Sequence, residues 1–371
     1  MSYGELVVLV PGFLGFSRFG EFYYFADRVI GGLRAILEER RGAPVPVIPC
    51  ATLPTSSLAE RQLFLRDTLR RLVGEKLPGV ERVHLLGHST GGVDAALLAC
   101  TTRLSGEPWE SADEPFRRRL TSVTTLAAPH HGTGLAESVR AALPQLKGLD
   151  PRAALKAGKI LARLLRLLAH DLPMLAELRG THAADVERFL REILRSRDLI
   201  SDLRPAHMVQ VRREATSDPR VRITCFACGT APRDRGRPSD GLFREMYGLT
   251  ADPESQAVGP MAAATEALTR WIARPENVIC SPSSVLPVSV DAGLNDGVVN
   301  SARQILDPSD SSQFGGFVVA DHADVLGHYD RKDALVEGAV LNAGLFHSGA
   351  GFGDDEFFTL LHRIADAMSA R

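Results

Sequence analysis

The run "RVHLLGHSTGGVDAALLAC", Arg82 to Cys100, holds a serine with glycines two residues to either side, in Gly87-His88-Ser89-Thr90-Gly91. Before Ser89 stand Val83, Leu85 and Leu86, an apolar run suited to a buried parallel strand. After it Val93, Ala96, Leu97 and Cys100 recur at helical spacing. A strand that turns straight into a helix needs an abrupt bend, and glycines at minus two and plus two remove the side chains that would collide there. The central residue then stands at the tip of the turn, beside a helix N-terminus. Its hydroxyl is exposed, and the following N–H groups point toward any negative charge forming nearby. The pattern reads as a holder for a nucleophilic serine. Alone, G-x-S-x-G also arises by chance in Gly/Ser-rich loops; the strand and helix around it favour the functional reading.

A serine hydroxyl needs a base within hydrogen-bond reach, and the base needs a group to orient it. On parallel sheets these follow the nucleophile in the order Ser, Asp/Glu, His, from loops at the carboxyl ends of strands. Eleven histidines compete. His84 falls inside the apolar strand and His88 in the turn, which gives both a structural reading. His130 and His131, in "AAPHHGTG", follow a strand and are rivals, but they precede any candidate acid. His322 directly follows the apolar run "GFVVA" and satisfies both place and order. For the acid, "DAGLNDGVVNSA" offers Asp296, 26 residues before His322, with Asp291 as the alternative. An Asp-Gly turn is the plain reading of Asp296. The oxyanion formed at a carbonyl under attack needs two N–H donors. Thr90 supplies one, and the loop "VPGFLGFSRFG" supplies the other from Phe13, with Gly12 and Gly15 letting that backbone fold closely.

The elements around these residues alternate as in an α/β protein with a parallel sheet. Strand signals lie at Leu6–Val10, "VPVIPC", the seam strand, Ser122–Pro129, "VRITCFACGT" and "GFVVA"; helical periodicity covers Phe19–Arg40, Leu58–Leu77 and Asp354–Ala370. Between Gly134 and about Arg213 only helical periodicity appears. This gives a core in two parts, 1–134 and 216–371, split by a helical insertion at 135–215. In the insertion, Arg152, Lys156, Lys159, Arg163 and Arg166 form a basic stripe, while Leu161, Leu164, Leu165 and Leu168 favour another side. That helix is either an ordinary surface helix or a lid over an apolar pocket that contacts lipid interfaces.

The 371 residues are 44% hydrophobic and 24% charged, with a net charge of −2. This balance gives no hint of nucleic-acid binding, and no apolar run reaches a membrane span of about 20 residues. No basic n-region or cleavage site precedes the first strand, which predicts a cytoplasmic protein unless a leader has been removed. The five cysteines are scattered, and the C-x-x-C of Cys225 and Cys228 reads as a core strand in preference to a metal or redox site.

The chain resembles the bacterial true lipases, triacylglycerol hydrolases of the α/β-hydrolase fold. The resemblance rests on "VLVPGFLGF" with "FYYF" behind it, "VHLLGHSTGG", "SVTTLAAPHHGT", "ISDLRPAHM", "NDGVV" and "DHAD", in the family's order and across nearly the whole chain. It implies a mostly parallel sheet with helices on both faces and a helical lid. It also implies Ser89 as nucleophile, Asp296 as acid, His322 as base, and Phe13 and Thr90 as the oxyanion hole. The expected substrate is an acyl ester or lipid, and no cofactor is required. The chain departs from the family at Pro11, where histidine is usual. A structural calcium of the family would find a ligand in Asp324, while the later glutamine ligand gives way to residues around His328. Alternatives are an acyltransferase, a lactonase or an intracellular polyester depolymerase with the same triad, or a non-catalytic binding protein.

Overall fold

The apolar run after Gly4 forms β1 (Glu5–Val10), buried throughout. Its side chains serve two layers: Val7 and Leu9 join one apolar cluster, and Leu6, Val8 and Val10 another. A strand covered on both faces belongs in the middle of a parallel sheet. The computed structural model describes residues 3–370 apart from 14, 16, 20–21, 143–197, 235–238, 252–260, 283, 285–289, 330–334, 337–338 and 341–347. Six more strands complete the sheet: β2 (Val47–Pro49), β3 (Arg82–His88), β4 (Leu120–Leu126), β5 (Arg222–Cys228), β6 (Val278–Ile279) and β7 (Phe314–Val318). In space they run β2-β1-β3-β4-β5-β7-β6, with all neighbours parallel.

Helices close both faces. α1 (Asp27–Arg41) packs Val29, Leu33 and Leu37 into one cluster together with Phe357, Leu361 and Ile364 of the C-terminal helix Asp354–Ser369. On the other face α2 (Leu58–Arg71) contributes Leu65 and Leu69, and α3 (Thr90–Leu98) contributes Ala95 and Leu98. α2 is started by a capping box between Ser57 and Glu60. Among the described residues, no helix is long and apolar enough to cross a membrane.

Three elements differ from the sequence reading. The helix expected from Phe19 begins only at Asp27, because Arg18–Phe19 and Phe22–Tyr23 pair as an antiparallel hairpin. Aromatic residues clustered around a glycine favour that extended pairing over a helix. The expected helix to Leu77 leaves α-geometry at Arg71 and finishes as a π-turn, Leu72–Lys76. The two-residue strand β6 is too short to show a period. The insertion expected at 135–215 has helical ends, Gly134–Ala142, Asp198–Asp202 and Pro205–Glu214. Its middle, including the basic-striped helix from Arg152 to Ala169, lies outside the described residues. Cys225 and Cys228 are buried on β5 but belong to clusters on opposite faces of the sheet, so one metal ion cannot meet both.

The sheet register brings the reactive loops to one edge. Val10 pairs with Gly87, His88 with Leu126, Leu126 with Phe226, and Cys228 with Val318. The loops carrying Gly12, Ser89 and His322 therefore all leave the carboxyl edge, where parallel sheets build their sites. The crossing of α3 over the end of β1 is tight. A Cβ on Gly91 would lie 2.2 Å from the Val10 carbonyl oxygen and 2.5 Å from that of Pro11. Both are backbone atoms and cannot rotate away. Gly91→Ala is therefore expected to cost about 3 kcal/mol or more, read as a fall in the urea midpoint. An unchanged midpoint would show that the crossing is looser than this packing requires.

Candidate active site

Ser89 lies between β3 and α3 with φ 54° and ψ −132°. Positive φ is rare for a residue with a side chain and signals strain held by its surroundings. A serine just before a helix normally turns its hydroxyl inward to cap the first turn. Here the side chain makes no cap bond, which leaves the hydroxyl for other chemistry. The turn is anchored by the Ser89 N–H donating to the Leu126 carbonyl at 2.9 Å.

The structure joins Asp296 and His322. His322 Nδ1 lies 2.7 Å from Asp296 Oδ2, and Asp296 is wholly buried. A carboxylate oxygen only accepts, so Nδ1 is the donor of this bond, and the neutral form of the ring has its lone pair on Nε2. A second bond ties the two backbones: the His322 N–H donates to the Asp296 carbonyl at 2.9 Å. Asp296 is itself fixed. Its Oδ1 accepts from the N–H groups of Val298 and Val299 at 2.9 and 2.7 Å, and its Oδ2 accepts from Gln304 Nε2 at 3.1 Å. Asp291, the alternative acid, spends Oδ1 on the N–H groups of Gly293 and Leu294 and shapes the preceding turn.

The loop after β1 meets Ser89 directly. A Cβ on Gly12 would fall 2.8 Å from Ser89 Cβ, so only glycine admits this approach. Below the loop, Arg61 and Asp94 form a wholly buried ion pair, with Nη2 2.6 Å from Oδ2. The same guanidinium donates to the carbonyls of Pro11 and Gly12 at 3.4 and 3.2 Å, and to those of Leu53 and Pro54. A trans peptide sets its C=O and N–H on opposite sides. With the Gly12 carbonyl turned to Arg61, the Phe13 N–H points away from the guanidinium. The Phe13 side chain packs against the apolar cluster that holds Val93 and Leu97 of α3. Thr90 is the first residue of α3, so its N–H is among those that a helix leaves without an internal acceptor.

The rival histidines are engaged elsewhere. His130 Nε2 lies 3.0 Å from Thr125 Oγ1, and His131 Nε2–H donates to the Leu306 carbonyl at 3.2 Å. His84 bonds Ser122. His88 does more than its position in the turn suggests: its Nε2 lies 2.9 Å from the His322 carbonyl oxygen. Asp324 Oδ2 accepts the Asp321 N–H, and His328 Nε2 bonds the carbonyls of Tyr23 and Tyr24. Among the described residues no group of three or more His, Cys, Asp and Glu is placed to hold a metal ion. Arg61, Asp94, Gln304 and Tyr24 were not singled out from the sequence. Asp94 did leave a signal, as the sole charge between Thr90 and Cys100.

The chain has the α/β-hydrolase fold, and part of its sequence is similar to that of a lipase. Over 151 residues it is 30% identical to a triacylglycerol lipase of Pseudomonas fragi, a stretch covering 40% of this chain and 43% of that protein. The match thus spans less than half the relative's length. No protein-family model matches the chain. The fold is shared with EstA from Clostridium botulinum, with a TM-score of 0.52 and 16% identity over 99% of this chain and 88% of that one. A Staphylococcus hyicus lipase aligns over 99% of this chain and 95% of its own, with a TM-score of 0.49 and 16% identity.

Burial leaves the histidines around the site uncharged. It pushes His84 down to about 3 and His131 to about 4, and holds His88 and His130 well below 6.5. In the unfolded chain each titrates near 6.5. Acid therefore binds the unfolded state more readily. The stability these residues confer is complete above pH 6.5 and is lost as pH falls toward their folded values. His131 alone is expected to cost about 2 to 3 kcal/mol by pH 4.5. Melting temperatures from pH 7 to 4.5 should fall less steeply for His131→Asn than for wild type. Parallel slopes would show that His131 is not held neutral.

Proposed function

We propose that the protein is a serine carboxylic-ester hydrolase that cleaves acyl esters or lipids through an acyl-enzyme. The observation that carries this reading is the buried Asp296–His322 pair, 2.7 Å long, at the sheet edge where Ser89 keeps an uncapped hydroxyl. The sequence likeness to a triacylglycerol lipase supports the substrate class.

With Nδ1–H given to Asp296, His322 offers Nε2 as a base. It takes the Ser89 proton as Oγ bonds the ester carbonyl carbon, and the carbonyl π electrons move onto oxygen. The N–H groups of Phe13 and Thr90 receive that oxyanion; one such donor is worth about 10² to 10³ in rate. Collapse of the intermediate expels the alcohol, which takes the proton from His322, and leaves Ser89 acylated. Water then repeats the sequence, its proton passing to His322, and releases the acid. Asp296 stays ionised, stabilises the imidazolium and holds its ring. No step requires a cofactor or a metal.

Ser89→Ala and His322→Ala should each lower kcat by several orders of magnitude, and the double variant should be barely worse, because the groups act as a unit. His131→Ala should keep most of the activity. These are measured on p-nitrophenyl esters of increasing chain length, with an emulsified triglyceride alongside and a phosphonate ester to label Ser89. An active Ser89→Ala protein, or labelling at another serine, rules the mechanism out. Acyl transfer to an added alcohol faster than hydrolysis would redirect the reading to an acyltransferase.

A further inference from the structure

His88 is wholly buried, and its ring lies 4.5 Å, centroid to centroid, from that of His322. Its two nitrogens have determinate roles. The His322 carbonyl can only accept, so His88 Nε2 carries the hydrogen. Burial keeps the ring neutral, so Nδ1 is an acceptor, and the Tyr24 hydroxyl, 2.7 Å away, must be its donor. The Tyr24 oxygen in turn accepts the Gly12 N–H. A Cβ on Gly12 would come within 2.4 Å of that oxygen. Three hydrogen bonds thus run in one direction, from the Gly12 N–H through Tyr24 and His88 to the carbonyl of His322. They pass beneath Ser89, which is covalently joined to His88.

We propose that Tyr24 and His88 are positioning residues that hold the oxyanion loop and the base in one fixed relation to Ser89. The proposal rests on the reaction assigned above. Both side chains act through backbone groups: the His88 ring lies against that of His322, but its bond is to the His322 carbonyl. The two end links each fix a backbone group: the Gly12 N–H, one peptide before the one that carries the Phe13 donor, and the carbonyl of His322, whose ring moves with its backbone. Aligned donors in a buried chain also polarise one another. A neutral ring with its only N–H committed to a carbonyl can lie against His322 without opposing the charge His322 acquires.

The test uses variants that cut single links. Tyr24→Phe keeps the packing and removes the donor to Nδ1 and the acceptor for Gly12. His88→Asn keeps an acceptor near Nδ1 and removes the donor to His322. His88→Gln keeps a donor near Nε2 and removes the acceptor. For each, kcat and KM are measured on p-nitrophenyl butyrate per phosphonate-titrated site. The affinity for an alkyl boronic acid, which forms a tetrahedral anion on serine, is measured beside them. Tyr24→Phe and His88→Asn should lower kcat about tenfold to a hundredfold, with KM within about twofold and boronate affinity falling in parallel. Their double variant should be no worse than the poorer single. A wild-type kcat per titrated site in Tyr24→Phe and both His88 variants overturns the proposal, and so do losses that multiply in the double variant. If the wild type hydrolyses no ester and takes no phosphonate, the assigned reaction fails and the proposal with it. An active, labelled wild type beside unaffected variants overturns the proposal alone.

Discussion

The structure depends on one crowded backbone crossing. Ser89 sits at positive φ because α3 must start within a residue of the end of β3 while passing over the end of β1. The permitted separation there is that of backbone against backbone, with no room for a methyl group at Gly91. This closeness aims the start of α3, and with it the Thr90 N–H, at the sheet edge. It also sets Asp94 one turn further along, deep beneath the loop that follows β1. Strain at Ser89 persists because strand, helix and loop are each fixed by burial elsewhere.

The Arg61–Asp94 pair uses that placement. Neither group has contact with water, and an isolated buried charge would be costly. The pair is supported by donation to four backbone carbonyls in two loops. Those carbonyls have no strand partners, so the guanidinium stands in for a missing stretch of sheet. A fixed loop results without regular secondary structure. Gln304 plays a similar part under Asp296, bonding the carboxylate, the Val299 carbonyl and both backbone groups of Cys228.

What could be read from the sequence was local or ordered along the chain. The strand-to-helix turn at Ser89 announces itself within five residues, because the bend requires glycine at fixed offsets. The parallel core follows from apolar runs buried on both faces, and Asp296 and His322 from their order after strands. What escaped was long-range. Arg61 looks like any charged residue on an amphipathic helix; its role comes from carbonyls some fifty positions away. Tyr24 lies in an aromatic stretch whose extended hairpin was masked by the helical spacing around it, and its partner His88 is 64 residues on. Pro11 has no N–H to give, and in this chain the loop is held through carbonyls and through Gly12.

The chain leaves the sheet after Leu126 and returns at Arg222, yet β4 and β5 are immediate neighbours, with Ser122 beside Arg222. Because the two strands are parallel, the long excursion leaves at the carboxyl edge beside Phe226 and must cross back to the amino edge, four strand residues away, before it re-enters the sheet. Closing a loop on itself grows dearer only with the logarithm of its length, about 0.6 kcal/mol per doubling. The described ends of the excursion are packed: Ala136, Leu199, Leu203, Met208 and Val211 join Val93 and Leu97 of α3 in one apolar cluster. Between those packed ends, evolution or a protein engineer can add or remove residues at little entropic cost while Ser89 on one side and Asp296 and His322 on the other keep their places.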